Sequence, residues 1–129
     1  MLSSIEVKRK PIPRKLSQQV YEKYNGHCAY WGCDLEKKDM QEDHIKCFNY
    51  HGDNLDIDKL NPSCRACNYY KGTYDLERFR FELGKLKERL QKVFIYKLAV
   101  KYGIVTENDN PITFYFERQE VHIEHNRRV

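Results

Sequence analysis

What the chain does not contain narrows its class first. No apolar run in its 129 residues approaches the roughly 20 that a membrane-spanning helix needs, so no membrane association is expected. Met1-Leu2-Ser3-Ser4 leads straight into charged residues without the apolar centre of a secretory signal, and a reducing cytoplasm is the expected compartment. There is no internal repeat and no low-complexity tract, which excludes repeat arrays and biased linkers. Apolar residues make up 40% against 33% charged, leaving material for only a thin core. A chain this small and polar reads as one domain, 1–129, that a bound metal would help to stabilise.

The net charge of +4 says little by itself, and its placement says more. Lys8, Arg9, Lys10, Arg14 and Lys15 form a basic arm over 1–15, with Glu6 as the acidic residue nearby. Such an arm either lies along phosphates or stands solvated as a frayed terminus. Lys85, Lys87, Arg89 and Lys92 form a second basic run, interspersed with Glu82 and Glu88 in the manner of a solvated helix face.

Punctuation residues divide the chain. Pro11 and Pro13 keep 1–15 extended. A helix begins near Leu16 with Ser17 as its cap, carries Leu16, Val20 and Tyr24 on one face, and stops at Asn25-Gly26. His27 to Cys33 forms a tight knuckle. Met40 to Ile45 is a short strand expected to pair antiparallel with the segment around His27–Tyr30. Phe48 to Lys59 reads as a loop, anchored by Leu55, Ile57 and Leu60. A short helix from Cys64 to Gly72 follows, with one of Tyr69 and Tyr70 in the core. Asp75 caps a longer helical region that carries Leu76, Phe79, Leu83, Leu86 and Leu90; Gly84 divides it and Gly103 ends it. Ile112 to Glu117 alternates with period two and is expected to be a strand, followed by a polar tail from His122. The core therefore spans 16–74, and 75–129 is a helical extension with a terminal strand.

Four of the five cysteines pair as C-x4-C and C-x2-C: Cys28 with Cys33, and Cys64 with Cys67. Two short-spaced thiol pairs suit tetrahedral zinc, and four thiolates leave no position for water, so the ion would be structural. The 30 residues between the pairs, Asp34 to Ser63, exceed a simple ribbon, so something is built inside that loop. Cys47 is left over and reads as a small apolar filler.

The strand before the loop ends in Asp43-His44. Neighbours on a strand face opposite sides, so one can hold a metal while the other meets a substrate water. Asn68, on the helix after the loop, offers a second oxygen. Asp and Asn oxygens suit a hard cation such as Mg²⁺ or Mn²⁺.

These segments, HCAYWGC, EDHI and LNPSCRACNYYKG followed by LERFR, resemble the HNH endonuclease family over residues 27–80. The remainder is similar in flavour to small phage and prophage members. The resemblance implies an α+β fold: a ββα-metal (His-Me finger) core stapled by a four-cysteine zinc site. It implies that His44 is the general base, that Asp43 and Asn68 hold the catalytic cation, and that DNA is the substrate. The family's central Asn falls at Lys59, which has no acceptor and cannot copy that residue's bond across the loop; Asn54 and Asn61 are the candidates to replace it. Lys46, Arg65 and Lys71 flank the site as candidate phosphate contacts. The expected function is metal-dependent hydrolysis of phosphodiester bonds, by nicking, in a bacterial cytoplasm. Two other readings stay open. One is a zinc-stapled nucleic-acid-binding module without cleavage. The other is a protein-interaction factor whose 112–117 strand pairs with a second copy or a host protein.

Overall fold

The computed structural model describes residues 11–46 and 56–119. The fold is α+β, with helices around a two-stranded antiparallel sheet and a cysteine cluster at one side. Helix α1 spans Arg14–Lys23. Strand β1, Gln41–His44, pairs with β2, Leu60–Ser63, in the register Asp43 to Asn61 and His44 to Leu60. Helix α2, Arg65–Lys71, follows β2 directly. Three further helices follow, α3 Leu76–Gly84, α4 Leu86–Leu90 and α5 Phe94–Lys101.

Helix α1 starts earlier than expected, and Ser17 is not its cap. Pro13 takes the N-cap position, and its carbonyl accepts from Ser17 N at 2.9 Å. Ser17 is instead buried inside the helix. Its hydroxyl donates to Glu42 Oε1 at 2.6 Å and accepts from Lys37 Nζ at 2.8 Å, so a polar residue spent on capping in the sequence reading ties α1 to β1. The core face is as read, with Val20 fully buried and Leu16 packed beside it. The stop is also as read: Asn25 and Gly26 both take positive φ, at 55° and 77°.

The partner of β1 differs from the expectation. The segment around His27–Tyr30 does not pair with it; His27 makes an isolated bridge to Asp34. The partner is β2, with all four residues buried. Pro62 lies in it, which reads as a strand breaker in sequence, but a sheet this narrow leaves one edge of each strand unpaired, and Pro is tolerated there. The knuckle joins on that far side, where Ala29 N donates to Pro62 O at 2.8 Å. Residues 57–59, read as the end of the loop, form one turn of 3₁₀ helix, with Leu60 and Ile57 packed on the core.

The expected strand at 112–117 is absent. Residues 112–114 are irregular and 115–119 are helical. Phe114 is buried, stacked on Phe79 with ring centroids 5.4 Å apart, and Tyr30 meets both rings edge-on. Glu117 Oε1 accepts from Phe114 N at 2.8 Å, the reciprocal half of a capping box, and this starts the helical turn. Tyr115 N and Phe116 N donate to Tyr30 O and Ala29 O, so the segment sews onto the first cysteine knuckle and offers no free strand edge for a second chain. Cys47, Asn54, Leu55, the arm before Pro11 and the tail from His122 lie outside the described residues.

Candidate active site

Each cysteine pair is placed by a local backbone device. In the first knuckle Cys28 N donates to Cys33 O, and Gly32 N donates back to Cys28 O, both at 2.9 Å. Gly32 closes this turn at φ 89°, and a Cβ there would lie 2.9 Å from the Tyr115 ring, so no side chain fits. In the second, Cys64 is the N-cap of α2 and its sulfur accepts from Cys67 N at 3.4 Å. The sulfurs of Cys28, Cys33 and Cys64 lie within 4.8 Å of one another, and together they can hold a metal ion such as zinc. Thiolates about 2.3 Å from a common zinc would stand about 3.8 Å apart, so the spacing fits. Cys67 adjoins the group through hydrogen bonds with Cys28 and Cys64.

The electrostatics suit a cation. The Cys28 thiol is pushed well below its ordinary value, first by the hydrogen bond from Cys67, with the backbone N–H groups of Cys64, Trp31 and Tyr30 adding to it against the cost of burial. Cys67 is pushed up, chiefly because it gives that bond. Cys33 is raised by burial and by the neighbouring sulfurs. Binding an ion would require the ligating thiols to deprotonate.

Asp43 and His44 stand at the end of β1, both buried. Asp43 turns into the domain. Its Oδ2 accepts from the Tyr30 hydroxyl at 2.5 Å, and Lys71 Nζ lies 3.3 Å from Oδ1 and 3.2 Å from Oδ2. Lys71 Nζ also donates to His44 O at 3.0 Å. Burial pushes the Asp43 carboxyl up, opposed by the Lys71 charge and the Tyr30 hydrogen bond. Burial likewise raises the Tyr30 hydroxyl, and the Asp43 charge adds to that. Both ring nitrogens of His44 are shielded from solvent.

The polar chain continues behind Tyr30. Asn61 Nδ2 donates to the Tyr30 hydroxyl at 3.4 Å, and Lys23 Nζ donates to Asn61 Oδ1 at 3.0 Å and to the carbonyls of Ile57 and Leu60. Lys23, Asn61, Tyr30, Asp43 and Lys71 thus form one connected line from α1 to α2. Asn61, a candidate to replace the family's loop Asn, is a member of this line.

Asn68 lies one helical turn before Lys71 on α2 and is half-buried. Lys46, Arg65 and Lys59 are exposed, where a phosphate could reach the first two. Lys71 is corrected: at 0% exposure it touches no phosphate here, because Asp43 and His44 O hold its ammonium inside. Sequence reading missed Tyr30 and Lys23, and it considered Asn61 only as a replacement for the family's loop Asn. The cue for Lys71 was its i, i+3 spacing from Asn68, which puts both on one helix face. Tyr69 is exposed, and Tyr70 packs on the core, as expected for one of the pair.

No family model matches the chain, and no curated protein matches it. Among solved structures it is similar to the crystal structure of a type II-C Cas9 enzyme from Actinomyces naeslundii, at 22% identity and a TM-score of 0.50. The match covers 64% of this chain and 9% of that one, so the chain corresponds to a small part of the enzyme, and the likeness is one of fold.

Proposed function

We propose that the chain is a metal-dependent endonuclease of the HNH type, hydrolysing phosphodiester bonds in DNA. The observation that carries this reading is the order β1, β2, α2: it sets Asp43 and His44 at a strand end beside the helix that bears Asn68, with a cysteine pair at the start of that helix. The fold likeness supports it, since effectors of the Cas9 type use an HNH unit whose docking licenses cleavage.

In this reading Cys28, Cys33, Cys64 and Cys67 hold a structural zinc that fixes the knuckle against α2. Asp43 and Asn68 would be the oxygen donors for Mg²⁺ or Mn²⁺, and such a cation would supply charge neutralisation at the phosphate and at the departing 3′ oxygen. An imidazole nitrogen of His44 takes the proton from the attacking water, a task suited to a group with an ordinary pKa near 6.5. Free enzymes often hold their base in incomplete geometry that tightens with substrate, so a shielded His44 is compatible with the role. Lys46 and Arg65 contact flanking phosphates. The test is conversion of supercoiled plasmid in EDTA, Mg²⁺ or Mn²⁺ by wild type and His44→Ala in parallel. Metal-dependent nicking by wild type, spared by the variant, is the expected result. Intact DNA, double- or single-stranded, with folded, zinc-loaded protein would sink the enzyme.

A second reading, a nucleic-acid-binding module without cleavage, is favoured by two observations. Lys59 is exposed at the family's Asn position, and both Asp43 oxygens are already engaged. A gel shift by protein that leaves the same DNA uncut would select it.

A further inference from the structure

Asp43 and Asn68 have the right donor chemistry for a hard cation, yet Asp43 already has a cation beside it. Lys71 Nζ sits 3.3 Å from one carboxylate oxygen and 3.2 Å from the other, so it engages both. Its third contact is His44 O at 3.0 Å, on the residue next to Asp43. The Tyr30 hydroxyl takes Oδ2 from another side. Lys71 is wholly buried and Asp43 is 4% exposed, so water does not compete for this pair. An unpaired ammonium at this depth would be strongly disfavoured, and the pair is closed by hydrogen bonds on both partners. Lys71 is also the last residue of α2, immediately before Gly72 at φ 50°, so its side chain locks the helix end to β1.

We propose that Lys71 is the resident counter-cation of Asp43, and that a divalent metal reaches this carboxylate only by displacing it. The inference rests on the nuclease reading for the role of Asp43 as a ligand. Two cations cannot share one buried carboxylate edge without repulsion, so metal affinity in this protein is set by competition with its own lysine. Lys71 is therefore a positioning residue that holds Asp43 in the metal-free protein and gates its loading.

The experiment is Mn²⁺ binding to zinc-loaded protein by titration calorimetry, comparing wild type, Lys71→Met and Asp43→Asn/Lys71→Met. Lys71→Met should bind Mn²⁺ at least tenfold more tightly than wild type, and the double variant should lose that gain. Equal affinity in wild type and Lys71→Met, or no binding by either, overturns the proposal. Should Lys71→Met not fold, the ¹⁵Nζ signal of Lys71 in the wild-type protein answers the same question. Its shift or broadening as Mg²⁺ saturates supports displacement, and an unchanged signal while Mg²⁺ binds overturns it. Cleavage is not the readout. Metal that binds with Lys71 unmoved defeats the displacement and leaves the nuclease standing, whereas displacement without nicking defeats the nuclease and leaves the displacement.

Discussion

The β1–β2–α2 unit and the helices after it treat burial in opposite ways. The first buries charge: Lys71 at 0% and Asp43 at 4% sit beside Tyr30 and Asn61, every link hydrogen-bonded. The second leaves apolar groups outside: Phe94 is 70% exposed, Ile95 76% and Ile104 79%. Its basic run is paired partly as a solvated face would be, with Lys85 on Glu88 and Lys87 on Asp109, while Arg89 meets Glu82, the one carboxylate this region buries among the described residues. The two regions meet at α3, where Phe79 enters the aromatic cluster and Arg80 holds Glu117 with two hydrogen bonds, at 2.9 and 2.8 Å. The difference teaches where stability resides. Polar closure around a cysteine cluster holds the first region, and the second adds surface without adding much core.

That contrast can be broken most forcefully at the cysteines. Cys28→Ser or Cys64→Ser should abolish cooperative thermal unfolding, followed by circular dichroism alongside zinc content. A structural zinc contributes about 10–16 kcal/mol, as much as the whole net stability of an ordinary domain. A variant that melted like wild type would mean that the core holds without its staple. His44→Ala comes next: nicking should fall by about 10²–10⁴-fold with the far-ultraviolet spectrum unchanged, and a retained rate would remove His44 as the base. Tyr30→Phe deletes one hydrogen bond to the buried carboxylate and should cost about 1.5–3 kcal/mol in urea unfolding. In the other region, Ile95→Ser should stay within about 0.5 kcal/mol by the same method. If Ile95→Ser cost as much as Tyr30→Phe, the two regions would not differ as described.

The smallest expected effect is on acid stability. The Arg80 hydrogen bonds, helped by Phe114 N–H, hold the Glu117 carboxyl below the usual range. Its folded pKa lies below the unfolded value of about 4.3, so its contribution is present above that pH and disappears as the pH falls through the folded value. Glu117→Gln should therefore lower the melting temperature slightly at neutral pH, and the difference from wild type should close as the pH falls below about 4.3, which flattens the variant's acid limb. An unchanged acid limb would assign that limb to other carboxylates.

Features with local causes were legible in the chain. The Asp75 cap, the Gly72 and Gly103 stops, the two cysteine knuckles and the Val20 face depend on a few neighbouring residues, and each stands where the pattern put it. Features imposed from elsewhere were not. Leu60–Ser63 is a strand because β1 pairs with it, while its own Pro62 argues otherwise. Ile112, Phe114 and Phe116 alternate like a strand, but Phe79 and Tyr30 draw Phe114 inward and Glu117 turns the backbone into a helix. Lys71 is the sharpest case. Lysine is ordinarily a surface residue, and its burial here depends on an aspartate 28 residues earlier.

The stitches from Tyr115 and Phe116 to the knuckle carry a consequence for the order of events during synthesis. A chain emerging from its amino end has all four candidate sulfur ligands once Cys67 is out, long before Phe114 appears. Metal capture can then precede closure of the aromatic cluster. The nascent chain would pass through a stage in which the knuckle is ligated but unsupported, with Gly32 bare where the Tyr115 ring later rests against it.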